Sequence, residues 1–385
     1  MQYLIKWREY FKKCLFVKKY KKFIYTIMTL SVCMIVKNEH DVLDRVLRCA
    51  SKFADEIIVV DTGSTDDTID IAKRYTEKVY NFKWCDDFSS ARNYSFSLAT
   101  MDYIMWLDAD DVVTFDQIQK IIELKKIMTA DYYMCYYAIA FDESNNATFK
   151  YYRERIMRSK AKPKWCGAVH EAIAPSGKIE YVDIVIEHRK CHAGNSKRNL
   201  NIYNKLIRNG HTLNAREQYY YAKELYYNGY YKKAIIALNK YLKFDNKFAP
   251  NELDAIITLS KCLVHVGKAK IALGVLMNNM PYITPTAEYM TTIGDIVHDY
   301  VDKRKSVYYY ECALLLQPNF SSGAFVNMDY YYLIPYLQLV RTYWEIGERF
   351  LSQKYHLLTK SKYPHNKSVQ YNDKFFNKIN DGGRD

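Results

Sequence analysis

Short apolar runs alternate with helically spaced apolar positions through the first half of the chain. Residues 30–36, 56–60, 79–80 and 103–107 are compact runs rich in Val, Ile, Leu, Met and aromatic residues. Such runs predict strands buried on both faces, as in a parallel sheet. Between them Leu43, Val46, Leu47 and Ala50, and then Ile69, Ala72 and Tyr75, recur at helical spacing. Asp41 is placed to cap a helix over 42–52, and Ser64, Thr65 or Asp66 to cap the next. Ser89-Ser90-Ala91-Arg92-Asn93 opens a third helix toward Leu98. Strand–helix alternation of this kind predicts an α/β domain.

After Asp111 the pattern changes. A helix is predicted over 117–128, and strands over 132–141 and 149–157 flank a polar turn at 142–146. This hairpin makes the sheet mixed, and a further strand is expected over 182–186. Beyond residue 196 every apolar pattern is helical. The segments pair as 216–228 with 231–244, 250–266 with 268–279, 286–300 with 306–316 and 330–346 with 349–361. Gly229, Gly267 and Gly347 fall at the turns, and Pro318 and Pro364 follow second helices. Helix pairs repeating at roughly 34 residues predict tetratricopeptide-like repeats. The expected organisation is therefore an extension (1–27), an α/β domain (28–195), a helical-repeat domain (196–370) and a polar tail (371–385).

Composition changes this picture in few places. The 385 residues carry a formal net charge of +13, which suits a phosphate-rich ligand or an anionic surface. Zinc-finger spacing and RNA-recognition signatures are missing from the sequence, so nucleic acid is not expected as a partner. The 38 tyrosines, several clustered at 219–221 and 330–332, fit packed helical repeats. Nine scattered cysteines without a C-x-x-C spacing point to reduced thiols and a cytoplasmic chain. No apolar run approaches the ~20 residues of a membrane span. The basic, aromatic residues 1–27 suit an amphipathic helix at the inner face of a membrane, but read more readily as a helix packed on the protein or an extension with no defined role. Met28 is an alternative start.

The chemistry centres on the end of the fourth strand, where Asp108, Asp110 and Asp111 come after Trp106-Leu107. Ligands of open α/β sheets bind at this carboxyl edge. Crowded carboxylates repel one another unless a cation or donors offset them, and a hard divalent ion with phosphate oxygens would do so. Taken alone, the cluster is as readily a solvated acidic turn.

Three segments shift that balance. Residues 31–39 (SVCMIVKNE), 57–68 (IIVVDTGSTDDT) and 106–110 (WLDAD) resemble the family 2 glycosyltransferases of GT-A fold. Together with Phe88–Asn93, the Gly167-Ala168-Val169-His170-Glu171 segment and the repeat tail, the chain looks like the SunS-type peptide glycosyltransferases. The resemblance implies a GT-A nucleotide-sugar-binding domain transferring sugar from a UDP-sugar with inversion, aided by Mn2+ or Mg2+. It implies a donor-binding set of Val36, Asn38, Glu39, Asp61, Ser64, Arg92, Asp108 and Ala109, with Asp61 on uracil and Glu39 at the nucleoside edge. Asp110 and His188 are the implied metal ligands, with His192 a weaker competitor, and Asp108 serves the ribose or the metal. Arg92 would neutralise the diphosphate or pair with Asp108 and Asp61. Glu171 is the implied base, with His170 as runner-up, and Asp111 is read only as a cap for the segment after it. The acceptor is expected to be a peptide side chain (Cys or Ser), alternatively a lipid-linked or envelope glycan. The repeats would bind the acceptor or form a homodimer. A repeat scaffold with a decayed donor domain is the non-catalytic alternative.

Overall fold

A computed structural model describes residues 27–141, 145, 147–191, 197–319 and 326–381. The N-terminal extension (up to residue 26), most of the turn expected at 142–146, and His192 lie outside the described residues. Strands β1 (Leu30–Val36), β2 (Glu56–Asp61), β3 (Val79–Asn81), β4 (Tyr103–Trp106), β5 (Asp111–Val112), β6 (Tyr132–Phe141), β7 (Ala147–Arg158) and β10 (Ile179–His188) form one sheet. Its order is β3-β2-β1-β4-β7-β6-β10-β5. The β3-β2-β1-β4 half is parallel, β7 runs antiparallel to both its neighbours, and β10 is parallel to β6 and antiparallel to β5. The expected mixed, mostly parallel sheet is thus the observed one.

Register explains why the motifs meet. Val36 pairs with Asp61 at the end of β1 and β2, and Cys33 with Trp106 at the end of β4. The segments following all three strands therefore emerge at one edge. On the other half of the sheet, His188 sits directly opposite Asp111. Two apolar layers hold this frame. Helix α1 (Leu43–Ala50) buries Leu43, Val46, Leu47 and Ala50, and α4 (Phe115–Lys125) buries Ile118 and Ile121, in a core with Val32, Met34 and Met105. On the opposite face Phe96 of α3 (Phe88–Ser97) packs with Cys33, Ile58, Trp106 and Trp165. Helix α2 (Thr68–Lys73) follows β2. A separate two-stranded hairpin, β8 (Trp165–Cys166) and β9 (Ala172–Ile173), leans on α3, and neither it nor β5 was expected.

The tail begins with α5 (Arg198–Arg208) and continues as the pairs α6 (Ala215–Tyr227) with α7 (Tyr231–Tyr241), α8 (Ala249–His265) with α9 (Ala269–Asn279), and α10 (Ala287–Tyr300) with α11 (Lys303–Leu315). Gly267 turns its pair at φ +76, a left-handed geometry that glycine adopts without strain. Gly294 is small for another reason: a Cβ there would lie 2.5 Å from the Tyr310 ring.

Several expectations need correction. Helix α1 starts at Leu43, and its N-cap position is Val42 with no side-chain cap, so Asp41 does not cap it. The helix expected over 330–346 is two, α12 (Asp329–Tyr332) and α13 (Ile334–Glu345), with Pro335 in the first turn of the second. Proline fits a first turn but lacks the N–H that helix interiors require. After α14 (Arg349–Lys362) the expected polar tail is instead helix α15 (Lys367–Asp381), whose Val369 and Phe376 are buried. Its apolar positions are sparse enough in sequence to read as polar. Among the described residues, no helix is long and apolar enough to cross a membrane.

Candidate active site

The turns after β1 and β2 are zipped together. Asn38, at a left-handed φ of 54°, donates its N–H to Ser64 Oγ (2.9 Å) and accepts from the Thr65 N–H through Oδ1 (2.8 Å). Asparagine tolerates that backbone geometry better than most residues. The Glu39 N–H donates to Thr68 Oγ1 (2.7 Å), and the buried Val36 accepts at its carbonyl from the Thr62 N–H and hydroxyl. Asp61, 3% exposed, accepts from the Gly63 and Ser64 N–H groups. Glu39 faces the carboxylate cluster. Burial, then Asp110, Asp108 and Asp66, push its pKa up to about 7, with Arg198 opposing.

Arg92 is the electrostatic centre. Asp87 caps α3 by accepting from the Ser90 N–H, which fixes where the helix starts and so where Arg92 falls. Its Nε donates to Glu171 Oε1 (2.7 Å) and its Nη2 to Asp108 Oδ1 (2.8 Å). The guanidinium lies 4.8 Å from the Trp165 ring centroid and 5.2 Å from that of Trp106, stacked where water is excluded. Burial would raise the Asp108 pKa, but Arg92 and Arg155 outweigh it and hold the group down at about 2. Arg92 does not pair with Asp61, whose oxygens are taken by its own turn. Glu171 is its second partner instead.

Beside this bridge, Asp110, Asp111 and His188 bring three ligand atoms within 4.8 Å of one another. His188 Nδ1 lies 3.1 Å from Asp110 Oδ1 and 3.6 Å from Asp111 Oδ1, yet this buried nitrogen has no well-aligned hydrogen bond. Burial opposes protonation of His188, but Asp110 and Asp111 prevail and raise its pKa to about 10. The carbonyl of Asp110 accepts from Arg45 and from the Arg189 N–H, which fixes the turn. Ala109, between the two motif carboxylates, is 4% exposed. The Asp110 carboxylate and the His188 imidazole are donors that would hold a divalent cation, the carboxylate suiting manganese or magnesium and the imidazole better matched to manganese, with the Asp111 carboxylate behind them.

Asp111 is more than a cap. Helix α4 takes Thr114 at its N-cap position, while Asp111 is fully buried against Arg155, itself 0% exposed. Asp111 Oδ2 also accepts the Asp108 N–H (3.0 Å), and Oδ1 accepts the Tyr137 hydroxyl (3.0 Å). Sequence reasoning missed Arg155. It sits where the β6–β7 register slips between Tyr133–Ile156 and Met134–Glu154, a bulge that re-aims a side chain. Its guanidinium is 3.5 Å from the Trp106 centroid and 4.2 Å from that of Tyr137. The available signal was the run of three charged residues, Arg153-Glu154-Arg155, directly before the apolar Ile156-Met157 of the same strand, since an inward charge there needs a partner.

His170 is drawn away from the acidic cluster. Its Nε2 meets Glu224 Oε1 of α6 at 2.8 Å, and its ring stacks on Tyr220 at 4.2 Å. The structure therefore brings together Glu39, Arg92, Asp108, Asp110, Glu171 and His188 and leaves His170 on the helical side.

Comparison with known proteins finds matches over parts of the chain. Residues 31–176 match the profile of "Glycosyl transferase family 2". The chain is 27% identical over 251 residues to the SPbeta prophage-derived glycosyltransferase SunS of Bacillus subtilis, covering 61% of this chain and 59% of that protein. It is 46% identical over 82 residues to a TPR repeat-containing protein of Synechococcus elongatus, covering 21% of this chain and 20% of that one. The chain thus spans less than two thirds of either relative. Among solved structures, S. aureus TarS residues 1–349 in complex with UDP-GlcNAc superposes with a TM-score of 0.35 at 11% identity, over 88% of this chain and 93% of that one. The strand-end carboxylates and the Arg92 bridge thus lie within residues 31–176, the stretch that matches the glycosyl transferase family 2 profile.

Proposed function

We propose that the protein is an inverting, metal-dependent glycosyltransferase that moves a sugar from a UDP-sugar to a peptide or protein side chain. The observation that carries the reading is the Arg92 bridge. One buried cation holds a strand-end carboxylate, Asp108, and a carboxylate from a different element, Glu171, at fixed separation. A solvated acidic turn would not need that arrangement.

In this reading Asp61 and Glu39 bound the nucleoside pocket, and Asp108 takes the ribose side or the metal shell. Asp110 and His188 would hold a divalent cation, whose charge would offset that of the donor diphosphate. Arg92 favours negative charge at Asp108 and orients both Asp108 and Glu171. Glu171 acts as base. Arg92 engages its Oε1, and no hydrogen bond to Oε2 is seen among the described residues, so that oxygen is open to a proton. As the acceptor lone pair attacks the anomeric carbon, the carbon–oxygen bond to UDP breaks and its electrons leave on the diphosphate oxygen. The acceptor proton passes to Glu171. The SunS likeness favours a peptide acceptor. The test is UDP release from a panel of UDP-sugars with manganese, comparing wild type with Asp110→Ala. Turnover in wild type and a loss of about 100-fold or more in the variant is the expected result. Equal turnover in both would overturn the metal assignment.

A further inference from the structure

The segment that carries Glu171 is the five-residue loop of the β8–β9 hairpin, since Cys166 pairs with Ala172. Its two sides are held by different parts of the molecule. On one side α3 grips it: Asn93 exchanges two hydrogen bonds with the Trp165 backbone (2.8 and 2.9 Å), and the Phe88 N–H donates to the Ala168 carbonyl (2.9 Å). On the other side the tail grips it. Val169 is buried among Ile202, Tyr203 and Leu213. The His170 ring is stacked on Tyr220 and bonded to Glu224, and Arg216 donates to the His170 carbonyl (3.0 Å). Glu224, 6% exposed, also accepts from Asn199 (3.1 Å).

This grip matters because the loop is not relaxed. Gly167 has φ +100 and His170 has φ +52, and a left-handed histidine persists only where its surroundings enforce it. The next residue is Glu171. We propose that His170 is a positioning residue. Through Glu224, Tyr220 and Arg216 it latches the loop to the first helix pair of the tail, so that Glu171 meets Arg92. The tail thereby completes the catalytic site, independently of any acceptor it holds. The latch deepens the reading of Glu171 as base and rests on it for its kinetic consequence.

The experiment uses the full chain and the variants Glu224→Ala, Glu224→Gln and His170→Asn. Hydrogen exchange is followed at residues 165–173, and UDP binding and UDP-sugar turnover with manganese are measured in parallel. Glu224→Ala should speed exchange in the loop about 10-fold or more by local opening. It should lower kcat by about 10- to 100-fold through misplacement of Glu171, while the Kd for UDP moves less than about 2-fold. Glu224→Gln keeps an acceptor for His170 and should recover most of kcat. His170→Asn tolerates the left-handed backbone but loses the stacking and should fall between. Loop exchange unchanged in Glu224→Ala and His170→Asn would overturn the latch, as would a Glu224→Gln variant as impaired as Glu224→Ala. Faster loop exchange with kcat unchanged would refute its link to Glu171. Faster exchange in a protein whose wild type turns over no UDP-sugar would support the latch and refute the glycosyltransferase reading.

Discussion

Arg155 Nη1 donates to Asp111 Oδ2 at 2.9 Å, with both side chains wholly buried. The same carboxylate accepts the Asp108 N–H, so this pair supports the turn that carries Asp108 and Asp110. Removing one member of a buried pair leaves the other uncompensated. Arg155→Met should cost about 3–5 kcal/mol in urea unfolding. The double variant Arg155→Met, Asp111→Asn should recover part of the loss. A single variant within about 0.5 kcal/mol of wild type would show that the pair is not structural.

Arg92→Lys keeps the charge but loses the fork that reaches Asp108 and Glu171 together. The expected effect is a fall in turnover of about 10- to 100-fold, comparable to loss of one preorganised electrostatic contact. The Asp108 carboxyl should also titrate above its present value of about 2. Carboxyl NMR on selectively labelled protein checks the second point, and an unmoved titration would show that the positive charge at position 92, rather than the guanidinium fork, holds Asp108 down.

Much of this site was legible in sequence because strand ends announce themselves. The apolar runs stop at residues 36, 60 and 107, and the carboxylates come at once, so Glu39, Asp61, Asp108 and Asp110 fall at one edge in any parallel arrangement. The partners of Arg92 were only half legible. Asp108 lies 16 residues away and Glu171 lies 79 away, and which distant carboxylate turns inward is settled by packing against Trp106 and Trp165. Arg155 depends on a one-residue register slip, which no periodicity shows. His170 read as chemistry because of its neighbour, but its ring finds a better partner in a helix 54 residues on. Helix α15 was missed because it buries only a few side chains.

His188 should make metal binding pH-dependent. In the metal-free protein its pKa is raised to about 10, so near neutrality it carries a proton that a cation must displace. Apparent manganese affinity, followed by calorimetry between pH 6 and 8.5, should rise up to about tenfold per pH unit. His188→Asn should flatten that slope. The sign for stability is opposite. The raised pKa contributes stability that is full below the unfolded value of 6.5 and is lost as pH climbs through about 10.

Glu39 gives a second titration with a distinct signature. Burial and the neighbouring Asp110, Asp108 and Asp66 raise its pKa from 4.5 to about 7. The folded state therefore binds the proton more tightly than the unfolded chain. Its contribution to stability is complete below pH 4.5 and disappears as pH rises through about 7. Asp295 in the tail, raised to about 6 mainly by burial, titrates in the same range, so the raw pH profile does not isolate Glu39. The difference between wild type and Glu39→Gln does. In metal-free protein the variant should gain on the order of 1 kcal/mol on wild type between pH 5 and 8, after allowance for solvent screening. Adding manganese should shrink that gain, because a cation near Asp110 favours the Glu39 anion. A Glu39→Gln profile parallel to wild type without metal would show that Glu39 does not feel the carboxylate cluster. A gain that manganese leaves intact would place the cation elsewhere.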